Sequence, residues 1–154
     1  MAMSSGTLST QLQNLAPAGD EPTAIGHLAD AWHTYFSSAQ AGAVPYAPSS
    51  VPRDAMAGAM TGLSTTGSVA IQAGVTAYWV AVAAGGPVFF PTATLVTPAP
   101  GLAGIAAALV PVFLANTLGS LDLASSCSAI ATVLHPLNLG GTATLPGPVV
   151  TPIT

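Results

Sequence analysis

The chain has 154 residues, of which 51% are hydrophobic and 4% are charged. One arginine and no lysine are too few cations to bind a nucleic-acid backbone, to form a P-loop or to hold anionic lipid headgroups. A single cysteine excludes an internal disulfide, and high hydrophobicity excludes the composition of a disordered chain.

We expect an all-α fold of about four helices packed as a bundle over residues 20–136, between an N-terminal arm (1–19) and an extended C-terminal tail (137–154). The first helix is predicted to begin at Asp20, because Asp is a preferred N-cap and Glu21 and Pro22 suit a first turn. Apolar residues then recur at steps of three and four up to a stop near Gly42. These are Ile25, Leu28, Ala29, Trp32, Phe36 and Ala39.

The second predicted helix covers residues 52–84 and follows a cap at Ser50. Gly67, within a Ser/Thr-rich run, is expected to bend or interrupt it. Gly58 and Gly62 lie four residues apart, so one ridge of this helix would be open to close approach by another helix. We therefore predict that Gly58 and Gly62 lie at an interface.

The stretch 85–100 is rich in Pro and Thr, and we expect an extended insertion or a short β hairpin there. Its Phe89 and Phe90 are further interface candidates. A third helix is predicted from Pro100-Gly101 to about Leu118, with a kink at Pro111. A fourth begins near Ser120 and Asp122 and ends before His135-Pro136.

One group of side chains could bind a metal ion. His27, Asp30 and His33 recur at steps of three along the first helix. Zinc and iron sites need three or four ligands with support, which the rest of the chain does not supply nearby, so a solvated polar face is the favoured interpretation. We expect no metal, cofactor or catalytic residue.

Arg53 is the chain's only cation, and it precedes Asp54 at the start of the second helix. We expect Arg53 to pair with an acid within the protein or across a subunit boundary. Arg53 and Asp54 are therefore interface candidates as well. No Gly-x-Ser-x-Gly pattern and no glycine-rich dinucleotide motif occurs, which argues against the common hydrolase and dehydrogenase sites.

The function that we predict is structural. A surface with few charges favours burial against copies of the chain and other structural proteins of one particle or filament, for example a capsid, decoration or tail component of a bacteriophage-like virion. No secretory signal is visible at the N-terminus, so the expected location is a virion or another assembly. The first alternative is a membrane-associated helical protein, because no charged residue occurs from 55 to 121. The second is a small helical metal-binding or enzymatic domain that uses His27, Asp30 and His33.

Overall fold

The computed structural model describes residues 3–15, 18–117, 119 and 122–154. Within these residues the chain forms α1 (Ser5–Gln13), α2 (Glu21–Phe36), α3 (Ser50–Ala59), α4 (Leu63–Gly85), α5 (Ile105–Thr117) and α6 (Leu123–Asn138). Its short strands are β1 (Gln40–Ala41), β2 (Val44–Pro45), β3 (Leu95–Thr97), β4 (Thr142–Leu145) and β5 (Val149–Pro152). The predicted all-α four-helix bundle is confirmed only in part: the fold is mostly helical, but the described residues form six α-helices and two small antiparallel sheets.

The segment predicted as an N-terminal arm contains α1. Ser4 caps this helix by accepting the amide of Thr7. Leu8 and Leu12, four residues apart on one face, are buried where α1 packs against α6 and α2. This segment therefore contributes to the core of its own chain.

The predicted start of the next helix is confirmed at Asp20, whose carboxylate accepts the amide of Thr23 at 2.8 Å. This helix, α2, ends at Phe36. Its inner face is aromatic, with Trp32, Tyr35 and Phe36 fully buried. Trp32 and Phe36 pack against Tyr78 of α4, and Phe36 also lies edge-on to Trp79 at a ring-centroid distance of 5.1 Å.

The second predicted helix is divided into two, α3 and α4. The division lies at Met60–Gly62, where Gly62 has a φ of 68°, a left-handed conformation that glycine adopts without strain. Thr66 adds an irregular turn inside α4, beside the predicted bend at Gly67. The prediction that Gly58 and Gly62 share one helical ridge is therefore wrong, because α3 ends before Gly62. The N-cap of α3 is Ser49, one residue before the predicted Ser50.

The insertion and the C-terminal tail pair with each other. β3, within the insertion, is antiparallel to β4, and β4 forms a hairpin with β5. Thr154 then exchanges two backbone hydrogen bonds of 2.9 Å with Gln40, which joins the C-terminus to β1. The tail is thus extended as predicted, but it pairs with its own chain.

The third and fourth predicted helices correspond to α5 and α6. A 3₁₀ turn at Pro100–Gly104 precedes α5, which contains Pro111. Asp122 caps α6 by accepting the amide of Ser125 at 2.7 Å, while the predicted Leu118 and Ser120 boundaries lie outside the described residues. The predicted stop before His135-Pro136 is wrong, because α6 continues through Pro136 to Asn138.

Candidate interaction surface

Two of the three possible metal ligands on α2, Asp30 and His33, have other partners. Asp30 accepts a hydrogen bond from Arg53 Nε at 2.7 Å, and His33 Nδ1 lies 2.8 Å from the hydroxyl of Tyr78. Across the part of the chain that the structure describes, no three His, Cys, Asp or Glu side chains are grouped so that they could hold a metal ion. The geometry therefore gives no support to a site built on His27, Asp30 and His33.

Two histidine–tyrosine pairs link the helices of the core. His33 bonds Tyr78 of α4, and His135 Nδ1 of α6 lies 2.7 Å from the hydroxyl of Tyr35 on α2. Burial lowers the pKa of both imidazoles. For His33, the negative charge of nearby Asp30 partly offsets this lowering. Burial also raises the pKa of Tyr35 to about 12 and raises that of Tyr78. A protonated tyrosine donating to a neutral imidazole satisfies both groups, so the pairs are suited to joining helices.

A buried amide is the centre of a third polar cluster. Asn138 accepts a hydrogen bond from Trp79 Nε1 at 2.6 Å and donates to the hydroxyl of Tyr35 at 3.4 Å. Its side chain is fully buried at the end of α6. Asn138 therefore ties α6 to α4 and α2 through groups that water cannot reach.

Cys127 and Ser64 lie in surroundings that disfavour a nucleophilic role. Burial raises the pKa of the Cys127 thiol, which disfavours the reactive thiolate. Ser64 donates its hydroxyl to Glu21. Glu21 also accepts the amides of Gly62, Leu63 and Ser64 at 2.9–3.2 Å. The hydrogen bond from the Ser64 hydroxyl, followed by those from the amides, lowers the pKa of Glu21. The carboxylate thus caps α4 from the start of α2.

The sequence did not reveal this second role of Glu21, because 41 residues separate it from Gly62. A local rule assigns an acid after an N-cap to the first turn of its own helix. The only available signal was Gly62 directly before Leu63, where no Asp or Asn cap is present.

The predicted pairing of Arg53 is confirmed within the chain. Arg53 bonds Asp30 of α2 through Nε and Asp54 through Nη1, at 2.7 and 3.1 Å. These side chains lie at the surface, where an ion pair contributes little net stability. The Arg53 side chain thus has acidic partners on both α2 and α3, so it does not require an acid from another subunit.

The structure contradicts the choice of Phe89 and Phe90 as interface residues. Their side chains are 3% and 0% exposed. Both lie beside the ring of Tyr46, with centroid distances of 5.9 and 5.5 Å. The two phenylalanines therefore belong to the core, because the insertion folds back over the end of α4.

The exposed apolar side chains lie elsewhere. Large aliphatic residues with more than half of their surface exposed occur on most elements, and they are Val51, Val69, Val80, Val88, Leu95, Val110, Leu114, Leu123, Val149 and Val150. Ala55 of α3 and the outer residues of α4 line an open groove of about 610 Å³. Val69 and Val80, each 58% exposed, are part of this lining. This groove between α3 and α4 is the candidate interaction surface, and we call it the α3/α4 groove.

The length and apolar character of α4 also meet the requirements for a membrane span. The stretch Leu63–Val88 has a mean hydropathy of 1.4, and 44% of the tested window is buried within the protein. Core helices of water-soluble proteins have the same properties, so this observation is compatible with both a membrane and a packed assembly.

Comparison with protein-family models, curated proteins and solved structures finds no match for this chain. The groove and its chemistry are therefore the features of the molecule that indicate a function.

Proposed function

We propose that this protein is a structural subunit that associates with copies of itself, and with other structural proteins, in a larger particle or filament. The observation that carries the proposal is the α3/α4 groove, a concave surface of about 610 Å³ bordered by exposed valines. The groove is lined by aliphatic side chains, Thr76 and Gln72, and no charged residue contributes to it. A virion is one kind of particle that would use such a subunit.

Covering the exposed apolar surface with a partner removes it from water, which favours association. Each Å² of apolar surface removed from water contributes roughly 25 cal/mol, and exposed valines on several faces offer such area to a partner. Most soluble monomers carry about a quarter of their residues as charged side chains, whereas this chain carries 4%. Few charges therefore have to be desolvated when its surface is covered, as in permanent interfaces.

A membrane is the alternative partner, and the length of α4 favours it. Against insertion, α4 packs on α3 and α5 and has its aromatic residues Tyr78 and Trp79 fully buried. A spanning orientation would have to expose this helix to lipid while its flanks lack Lys and Arg anchors. Packing against protein requires no such rearrangement.

Multi-angle light scattering of the purified protein in detergent-free buffer, across a dilution series, tests the proposal. We expect a defined mass above the 15.0 kDa of one chain that persists on dilution, or filaments visible by electron microscopy. A monomer at every concentration contradicts self-assembly. Recovery of the protein in detergent alone favours the membrane alternative.

A further inference from the structure

The outer side of α4 carries a row of exposed residues in a symmetric order. Val69, Ala73, Thr76 and Val80 are separated by four, three and four residues, so at 100° per residue they fall within about 60° of the helix circumference. The two valines at the ends are exposed, and the small residues between them make the middle of the row lower. We call these four residues the α4 row.

The order of the α4 row is the same from either end. It has a large residue, two small ones and a large one, and its midpoint falls between Ala73 and Thr76. A two-fold axis through that midpoint, perpendicular to the helix, places Val69 of one copy opposite Val80 of the other. It also places Ala73 opposite Thr76. An isologous interface requires this relation, in which residue i contacts j and j contacts i.

We propose that a second copy of this chain covers the α3/α4 groove, with the two α4 helices antiparallel about this axis. The inference rests on the proposed function, since it requires self-association, and it assigns one interface to it. Each Val80 packs against the partner's Val69, and the small central residues let the two backbones approach closely.

The α3 side of the groove fits the same partner. Val51, Ala55 and Gly58 are four and three residues apart and lie on one face of α3, where Ala55 lines the groove. We call these three residues the α3 row. A Cβ added to Gly58 would meet no atom within 4 Å, so the space above this glycine is open. The partner's α4 can therefore lie in the groove between the α3 row and the α4 row.

The required area explains why both rows are needed. Val69 and Val80 lie about 16 Å apart along the helix, and a helix is about 10 Å wide, so the α4 row alone presents a footprint of roughly 160 Å². A standard dimer buries about 800 Å² on each partner. The α3 row adds roughly 100 Å² by the same measure. The two rows alone therefore fall short of that area, and the proposed contact must extend along the groove between them, towards Ala84 and beyond it.

Charge also favours a second copy over an unrelated charged partner. The groove lies in the part of the sequence that has no charged residue from 55 to 121. The nearest charges, on Arg53 and Asp54, are paired with each other. A partner with the same uncharged surface leaves no charge buried without a counterpart, whereas a charged partner would.

The first test places a charge in the α4 row. Val80→Lys puts two ammonium groups against apolar side chains across the two-fold axis, and we expect it to raise the dimer dissociation constant at least about tenfold in analytical ultracentrifugation. The matched control is Val150→Lys, at a residue of similar exposure, 64%, on β5. We expect Val150→Lys to leave the dissociation constant within about twofold of wild type.

The second test determines the orientation of the helices. In the antiparallel pair, Val69→Glu combined with Val80→Lys places each Glu opposite a Lys of the other copy. We expect this double variant to dimerise at least about threefold more tightly than Val80→Lys alone at low salt. In a parallel pair Glu faces Glu and Lys faces Lys, so the double variant would associate more weakly than the single one.

The outcomes separate this interface from the proposed function. If wild type is oligomeric and Val80→Lys leaves it unchanged, the groove is not the interface and self-assembly stands. A double variant weaker than Val80→Lys overturns the antiparallel arrangement. A wild-type monomer at every concentration overturns both proposals. Circular dichroism checks folding, and Ala73→Lys, at an exposed residue in the middle of the row, replaces Val80→Lys if that variant misfolds.

Discussion

At the residue scale, the buried amide of Asn138 is the contact with the largest expected effect on stability. Asn138→Ala removes the acceptor of the Trp79 indole N–H and leaves that donor buried without a partner. We expect the free energy of unfolding to fall by about 2–3 kcal/mol, because an unsatisfied buried donor loses its interaction with water as well. Urea denaturation followed by tryptophan fluorescence measures the change.

Asn14→Ala is the matched control for this prediction. Asn14 is exposed after α1, and the expected change is within about 0.5 kcal/mol of wild type. Equal effects of the two substitutions would show that the Asn138 hydrogen bonds contribute nothing specific.

The two histidine–tyrosine pairs predict a dependence of stability on pH. Burial lowers the pKa of His33 and His135 in the folded state below the ordinary value of 6.5. As the pH falls through about 6.5, the unfolded chain therefore binds protons first, and stability decreases. Stability should be highest above about pH 7 and decline towards about pH 5.5, as measured by denaturation midpoints.

Substitution of these histidines tests the cause of that decline. His33→Gln and His135→Gln should each reduce its slope, and the double variant should remove most of it. The lowered carboxylate pKa values of Asp20, Glu21 and Asp122 act below about pH 4.5, outside this window. An unchanged slope in the double variant would place the responsible groups elsewhere.

Sequence patterns located residues whose roles are local. The caps at Asp20 and Asp122 were predictable because the carboxylate binds an amide three residues later. The pairing of Arg53 was predictable because it is the only cation. The partners of His33, Asn138 and Glu21 were not, since each lies on an element distant in sequence.

At the element scale, two glycines in neighbouring helices should respond oppositely to the same substitution. A Cβ on Gly74 of α4 would lie 2.5 Å from Met60 Cγ and 3.2 Å from Met56 Cγ, both in the core. We expect Gly74→Ala to destabilise the fold by about 1–3 kcal/mol through overpacking. Gly58→Ala in α3 meets open space and should stabilise it by about 0.5–1 kcal/mol through the better helix propensity of alanine.

Urea denaturation at one protein concentration compares the two variants. The identical chemical change makes each the control for the other. A loss of stability in both would mean that α3 is not a regular helix at Gly58, and a gain in both would mean that α4 does not approach Met60 closely.

Elements with a clear cap and a clear apolar period in the sequence were the ones that could be predicted. The helix α2 has a cap and a clear apolar period, and its start was correct. Neither the position of the break between α3 and α4 nor the pairing of the insertion with the C-terminal tail was foreseen. The first depends on Glu21 capping Leu63 from another helix, and the second pairs Val96 with Ala143, 47 positions later in the chain. Such contacts have no signature in a window of ten or twenty residues.

At the scale of the whole molecule, the distribution of charge determines how an assembly should respond to salt. In the described part of the chain, the ion pairs join Arg53 to acids of the same chain, and the net charge is −4. Because no ion pair is predicted between copies, salt has no such attraction to weaken. Salt does screen the repulsion between copies that carry the same net charge. Apolar contacts are also strengthened by sulfate and weakened by cooling.

We therefore expect the dissociation constant of the wild-type oligomer to stay within about threefold between about 0.05 M and about 1 M NaCl, to decrease in sodium sulfate and to increase at about 4 °C. Light scattering across these conditions measures it. The double variant Val69→Glu/Val80→Lys is the control, because its engineered charge pairs should make association weaken as NaCl rises. Dissociation of the wild-type oligomer by NaCl would instead indicate charged groups at the interface. The proposal that the uncharged α3/α4 groove forms the interface would then be wrong.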